Sequence, residues 1–177
     1  ILISRLLKSK GVLEYCKLAK SLKLKYPQIN FNLVGDYQHN SDDSINADVL
    51  KQYFKFINFL GSRLDIKKIL EISDIMIFPS SYPEGVPRVL IEGASMGLPL
   101  IAFKNPGSNE VVFDNVNGYL IEPGNQDSMK NALLNILDDP NLYNDFSQNS
   151  RRIAVENFDL KIIANQYLAL YQSFLRS

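Results

Sequence analysis

The chain has 177 residues, 46% of them hydrophobic, and its 19 Lys and Arg offset 19 Asp and Glu. A net charge of zero leaves no global field to draw the molecule to nucleic acid or to an anionic membrane, so no nucleic-acid partner is expected. One cysteine, Cys16, excludes an internal disulfide and suits a reducing compartment, and no apolar run approaches the roughly 20 residues that span a bilayer. The length fits a single domain over 1–177 better than two very small ones. The N-terminus lacks the basic-then-apolar order of a secretion signal, so a soluble, cytoplasmic protein is expected.

Ile1 to Leu6 predicts a first strand. The chain opens on it without a start methionine or a polar lead-in, which suggests a domain cut from a longer polypeptide. A loop follows, with Arg5, Lys8 and Lys10 close together, and Gly11 opens a helix to about Lys25. Val12, Cys16, Ala19 and Leu22 form its apolar stripe, which makes Cys16 a core residue rather than a nucleophile. Tyr26-Pro27 ends that helix, Ile29 to Val34 predicts the second strand, and Gly35-Asp36 closes it. The polar stretch Tyr37 to Asn46 reads as an exposed loop and the best candidate for disorder. Next come a helix from Ala47 to Tyr53, a strand from Phe56 to Leu60, and a short helix from Ile66 to Ile72 that Asp65 can cap.

Asp74 to Phe103 organises the rest. Asp74 to Phe78 and Leu98 to Phe103 read as strands, joined by a Pro/Ser/Gly loop and a helix with Pro87 in its first turn, where a fixed φ is already helical. Val86, Val89, Leu90, Gly93, Ala94 and Gly97 mark the face of that helix turned toward a sheet. Lys104 to Ser108 then reads as a loop, Glu110 to Phe113 as a short helical turn, and Tyr119 to Ile121 as a strand after the turn at Asn117-Gly118. Asn125 or Asp127 can cap a helix to about Leu137, and two helices with a break near Asn157 to Asp159 complete the chain. The last carries an aromatic-rich surface, part of which is expected to pack on a portion of the polypeptide outside this chain. Strands alternating with helices predict an α/β fold, a parallel sheet covered on both faces.

Several residues can carry chemistry. Arg5 and Lys10 follow the first strand, where a phosphate would lie in a nucleotide-binding sheet, since Arg grips phosphate as a bidentate fork and Lys as a mobile charge. On spacing alone they are equally well solvated loop cations, and Lys8 is assigned to solvent. SRLLKSKG matches neither the dinucleotide nor the P-loop fingerprint, which argues against an NAD enzyme or an ATPase. Glu84 and Glu92, with seven residues between them, can both face the space beyond the strand ends, where open α/β sheets bind ligands. Either can be an ordinary surface carboxylate, but Glu92 lies on an otherwise apolar, small-residue helix, where an acid needs a partner such as ribose hydroxyls. Gly85 and Val86 offer N–H groups at the helix start that suit an anion. His39 reads as solvated, Ser80 and Ser81 lack a nearby base, and no His/Cys cluster has metal-ligand spacing. Asn109-Glu110 can contact a ligand or cap a helix.

Together these segments resemble the C-terminal, donor-binding half of retaining glycosyltransferases of family 4, which have the two-domain GT-B architecture. Arg5 with Lys10-Gly11, Leu33-Val34-Gly35, the PEGVPRVLIEG run within Ser80 to Gly93, and PGSNEVVFDNVNGYL over Pro106 to Leu120 carry the resemblance in the family's order. In detail the chain is similar to bacterial enzymes that extend O-antigen or capsule repeat units on a lipid carrier. The resemblance implies a Rossmann-like parallel sheet flanked by helices, and a nucleoside-diphosphate sugar, foremost a UDP-sugar, as donor. It implies that Arg5 and Lys10 bind the diphosphate and stabilise the departing nucleoside diphosphate, and that Glu84 holds the donor sugar. Gly85 and Val86 would give N–H groups to the phosphates, Leu90 would join the nucleotide site, and Glu92 would bind the ribose. No metal is expected. The acceptor, a glycan or lipid-linked saccharide, would be bound by an N-terminal domain absent from this chain, with the whole protein peripheral at the inner face of the membrane. Two departures stand out: Gly35 is followed by Asp36-Tyr37 where a second glycine, or a glycine and an acid, is frequent, and Ser108-Asn109 replaces a Gly or Cys/Arg pair. A non-catalytic nucleotide-sugar module and a GT-B-shaped sugar-nucleotide epimerase are the alternatives from other classes.

Overall fold

The structure, a computed structural model, describes residues 1–38 and 41–175. Strands β1 (Leu2–Ile3), β2 (Asn32–Val34) and β3 (Asn58–Phe59) pair in parallel, with Leu2 opposite Leu33 and Leu33 opposite Phe59. Strands β4 (Met76–Phe78), β5 (Leu100–Phe103) and β6 (Gly118–Ile121) form a second parallel set, with Ile77 opposite Ile101 and Ile101 opposite Tyr119. The sets meet along β1 and β4, where the Ile77 amide donates to the Ile1 carbonyl at 2.9 Å and the Ile1 nitrogen donates to the Ile75 carbonyl at 2.8 Å. The spatial order is therefore β3-β2-β1-β4-β5-β6. The chain builds outward from the middle to β3, returns to the middle at β4, and builds outward the other way. Such a reversal leaves a crevice at the carboxyl ends of the two middle strands.

Every residue of β4 and β5 is buried, as strands with helices on both faces must be, which is why they read as unbroken apolar runs. Helix α1 (Val12–Lys23) buries Val12, Tyr15, Cys16, Leu18, Ala19 and Leu22, and the Tyr15 hydroxyl is satisfied by donating to the Asn32 carbonyl at 3.0 Å. After α2 (Ala47–Lys51) and α3 (Ile66–Glu71), helix α4 (Arg88–Ser95) turns Leu90, Gly93 and Ala94 to the core. A short α5 (Pro106–Asn109) precedes α6 (Gln126–Asp138), α7 (Pro140–Phe158) and α8 (Leu160–Leu175). The break expected near Asn157 to Asp159 falls between α7 and α8. Helix α8 buries none of its residues, and Tyr167, Tyr171 and Phe174 are all exposed.

Several local expectations need correcting. The first strand is shorter than its apolar run: regular pairing with β2 covers Leu2 and Ile3, and Leu6 keeps the same register only as an isolated parallel bridge to Tyr37, its amide donating to the Asp36 carbonyl at 3.0 Å. Pro87 is the N-cap of α4, with extended ψ of 114°, so Val86 lies outside the helix and is 43% exposed. Asp65 precedes α3 but does not cap it, because its carboxylate is taken by the Arg63 guanidinium at 2.8 and 2.7 Å. The KNPGS segment is not all loop: Asn105 accepts from the Ser108 amide at 2.8 Å and starts α5 ahead of the predicted turn. The described part of the polar stretch 37–46 is tied down, with Ile45 buried and Asp43 accepting from both the Ser9 amide and the Ser9 hydroxyl. His39 lies outside the described residues.

Candidate functional site

The turn after β1 and the loop after β4 meet at the reversal point. Gly11 makes the meeting possible: its φ is +71°, and a Cβ there would lie 1.9 Å from the Pro79 carbonyl oxygen. The Ser9 carbonyl then accepts from the Ser81 and Tyr82 amides at 2.8 and 3.2 Å, joining the two segments. On the other side Asn105 donates to the Ser80 carbonyl at 2.9 Å, and Gly107 packs against the backbone of Glu84 and Gly85 so closely that a Cβ would meet the Gly85 oxygen at 2.1 Å.

Beneath this junction lies a cleft of about 550 Å³, walled by Arg5 and Lys10 from the β1 turn, Glu84 from the β4 loop, and Pro87, Arg88 and Glu92 from the start of α4. Gly35, Asp36, Ser62 and Arg63, from the loops after β2 and β3, close the opposite side. The four charged residues picked out from the sequence, Arg5, Lys10, Glu84 and Glu92, are thus brought together. Gly85 and Val86 are exposed on the rim between Glu84 and Pro87. Leu90 is not part of the cleft wall: it is fully buried in the hydrophobic core, because it lies on the sheet-facing side of α4.

Most of the charge in the cleft is paired. Lys10 Nζ lies 2.5 Å from Glu84 Oε1, with the amine 4.7 Å from the Tyr82 ring centroid and 5.8 Å from that of Phe78. Arg88 Nε lies 2.9 Å from Glu92 Oε1, one turn along α4, which answers the need of Glu92 for a partner. Arg63 holds Asp65 in a bidentate pair, and its hydrogen bonds keep that carboxyl below the usual carboxylate range. Arg5 is exposed and forms no ion pair among the described residues. It is therefore the cation of the cleft best placed to take an anion. The backbone N–H groups of Gly85, Val86, Arg88 and Val89 likewise have no acceptor among the described residues. Donors aligned ahead of a helix favour an anion.

Sequence reasoning missed Arg88, Arg63, Ser4 and Asn105. Arg88 was legible from its i,i+4 spacing to Glu92, whereas Arg63 gave no periodic signal at all. The Ser4 hydroxyl lines the cleft, is buried, and has no hydrogen-bond partner among the described residues. Asn109 and Glu110 are exposed at the far end of α5 and are not in the cleft wall. Among the described residues no group of three or more His, Cys, Asp or Glu could hold a metal ion, and no helix is long and apolar enough to cross a membrane.

The family model for glycosyl transferases group 1 matches residues 1–153, nearly all of the chain up to the end of α7. The chain belongs to the group 1 glycosyl transferases. This glycosyl transferase chain is 34% identical over 161 residues to the Escherichia coli UDP-Gal:alpha-D-GlcNAc-diphosphoundecaprenol alpha-1,3-galactosyltransferase, covering 90% of itself and 41% of that protein. It is 29% identical to the N,N'-diacetylbacillosaminyl-diphospho-undecaprenol alpha-1,3-N-acetylgalactosaminyltransferase of Campylobacter jejuni, covering 100% of itself and 45% of that protein. Among solved structures it is similar to Anabaena HepE in complex with UDP, with a TM-score of 0.86 and 29% identity over 97% of this chain and 48% of that one. The expected Rossmann-like, GT-B type architecture is borne out by the parallel strands, the flanking helices and these GT-B neighbours. The chain spans less than half the length of the curated relatives it matches here.

Proposed function

We propose that this chain is the donor-binding half of a retaining glycosyltransferase, and that its cleft holds a nucleoside-diphosphate sugar, foremost a UDP-sugar. The observation that carries the proposal is the convergence of Arg5, Lys10, Glu84 and Glu92 on one cleft at the sheet's reversal point. Arg5 and the unpaired N–H groups ahead of α4 grip the diphosphate, and Lys10 adds a second cation. As the glycosidic bond to the diphosphate breaks, negative charge accumulates on the leaving oxygens, and these positive groups stabilise it. They supply the charge that a divalent ion would otherwise carry. Glu92 accepts the ribose hydroxyls and Glu84 those of the sugar.

The acceptor is a glycan or a lipid-linked saccharide, as in the names of the Escherichia coli and Campylobacter jejuni relatives, bound by the part of the protein beyond this chain. A lipid-linked acceptor would place the whole protein at the inner face of the membrane. Calorimetric titration with UDP, GDP and their sugars tests the reading. Wild type is expected to bind a nucleoside diphosphate, and Arg5→Ala and Glu92→Ala each to weaken it about tenfold or more, the loss of one or two charge-assisted hydrogen bonds. Unchanged affinity in Glu92→Ala would refute the ribose assignment.

A further inference from the structure

Lys10 cannot serve a diphosphate at no cost, because its charge is already committed. Its side chain is 7% exposed, its amine lies 2.5 Å from Glu84 Oε1, and the rings of Tyr82 and Phe78 flank it. Glu84 in turn has no hydrogen-bond donor other than Lys10 among the described residues. A bare nucleoside diphosphate that draws Nζ toward its oxygens strips Glu84 of this donor and sets the carboxylate beside phosphate negative charge. Both consequences disfavour binding. A diphosphate that carries a sugar also brings hydroxyls, and hydroxyls donated to Glu84 replace what Lys10 withdraws.

We infer that Glu84, acting through its ion pair with Lys10, is a specificity-determining residue that makes the cleft prefer a sugar-bearing nucleotide over the bare nucleoside diphosphate left after transfer. The inference rests on the donor-binding reading above. It assigns Glu84 a role in rejecting the spent nucleotide, in addition to holding the sugar. The same carboxylate that accepts the sugar penalises the species that lacks one.

Calorimetry on the chain with UDP, UDP-glucose, UDP-galactose and UDP-N-acetylglucosamine tests it, using wild type, Glu84→Gln, Lys10→Met and the double variant. Wild type is expected to bind at least one UDP-sugar more tightly than UDP. In Glu84→Gln, UDP affinity is expected to rise about tenfold, the scale of one charge-assisted contact, while affinity for that sugar nucleotide does not rise, so the preference collapses. In the Lys10→Met background the part of the Glu84→Gln gain that comes from releasing Lys10 is lost while the carboxylate–phosphate repulsion stays. The gain must therefore differ in size from that in wild type, a coupling that a merely structural effect of position 84 would not produce. Weaker or unchanged UDP binding in Glu84→Gln overturns the inference and leaves the donor reading intact. Failure of wild type to bind any of the four nucleotides overturns the donor reading and this inference with it.

Discussion

At the scale of single residues, burial and partner decide which groups are reactive. Cys16 was legible from its place in an apolar helical stripe, and it is fully buried, with its thiol pushed up to about 12, by burial first and by the nearby Glu14 charge second. A thiol with so high a pKa carries almost no thiolate at pH 8. Cys16 is therefore expected to ignore Ellman's reagent in the native protein and to react stoichiometrically in guanidinium, and fast native labelling would contradict this burial. Glu92 shows the opposite limit. An acid on a small-residue helix signalled that a partner existed, but the apolar pattern did not say that the partner is Arg88, which lies 90% exposed on the same helix. The trace of that partner is the i,i+4 spacing of Arg88 to Glu92, which the apolar stripe does not carry.

At the scale of elements, strand and helix types were legible because burial on two faces writes continuous apolar runs and burial on one face writes a helical stripe. Their ends were not, since they depend on contacts distant in sequence. The boundary of α4 moved one residue because Pro87 caps rather than enters it, and α5 began early because Asn105 caps it while tying the β4 loop. The β1 turn is the most exacting of these junctions. Gly11→Ala would place a Cβ 1.9 Å from the Pro79 oxygen at a φ of +71°, so the variant is expected to lose about 2–4 kcal/mol of stability, from left-handed strain plus overpacking. Urea unfolding followed by circular dichroism measures this, and a loss below about 0.5 kcal/mol, the range of ordinary surface substitutions, would show that the junction is not tight.

At the scale of the molecule, the parallel α/β class could be read from the alternation of elements, but the order β3-β2-β1-β4-β5-β6 could not. Nothing local in β1 or β4 says that they are neighbours. That unreadable adjacency is what builds the cleft on which Arg5, Lys10, Glu84 and Glu92 converge. With the acceptor assigned to a part of the protein beyond these residues, the chain alone is expected to bind donor weakly and to give no detectable sugar transfer in a radiolabelled assay. Measurable turnover would refute the division of labour proposed above.

The contact between Lys10 and Glu84 joins positions 74 residues apart in the sequence. A closure that long is slow and comes only after local helices have formed. During refolding, nucleotide binding should therefore lag behind the recovery of helical signal, and its onset would time the docking of β4 onto β1.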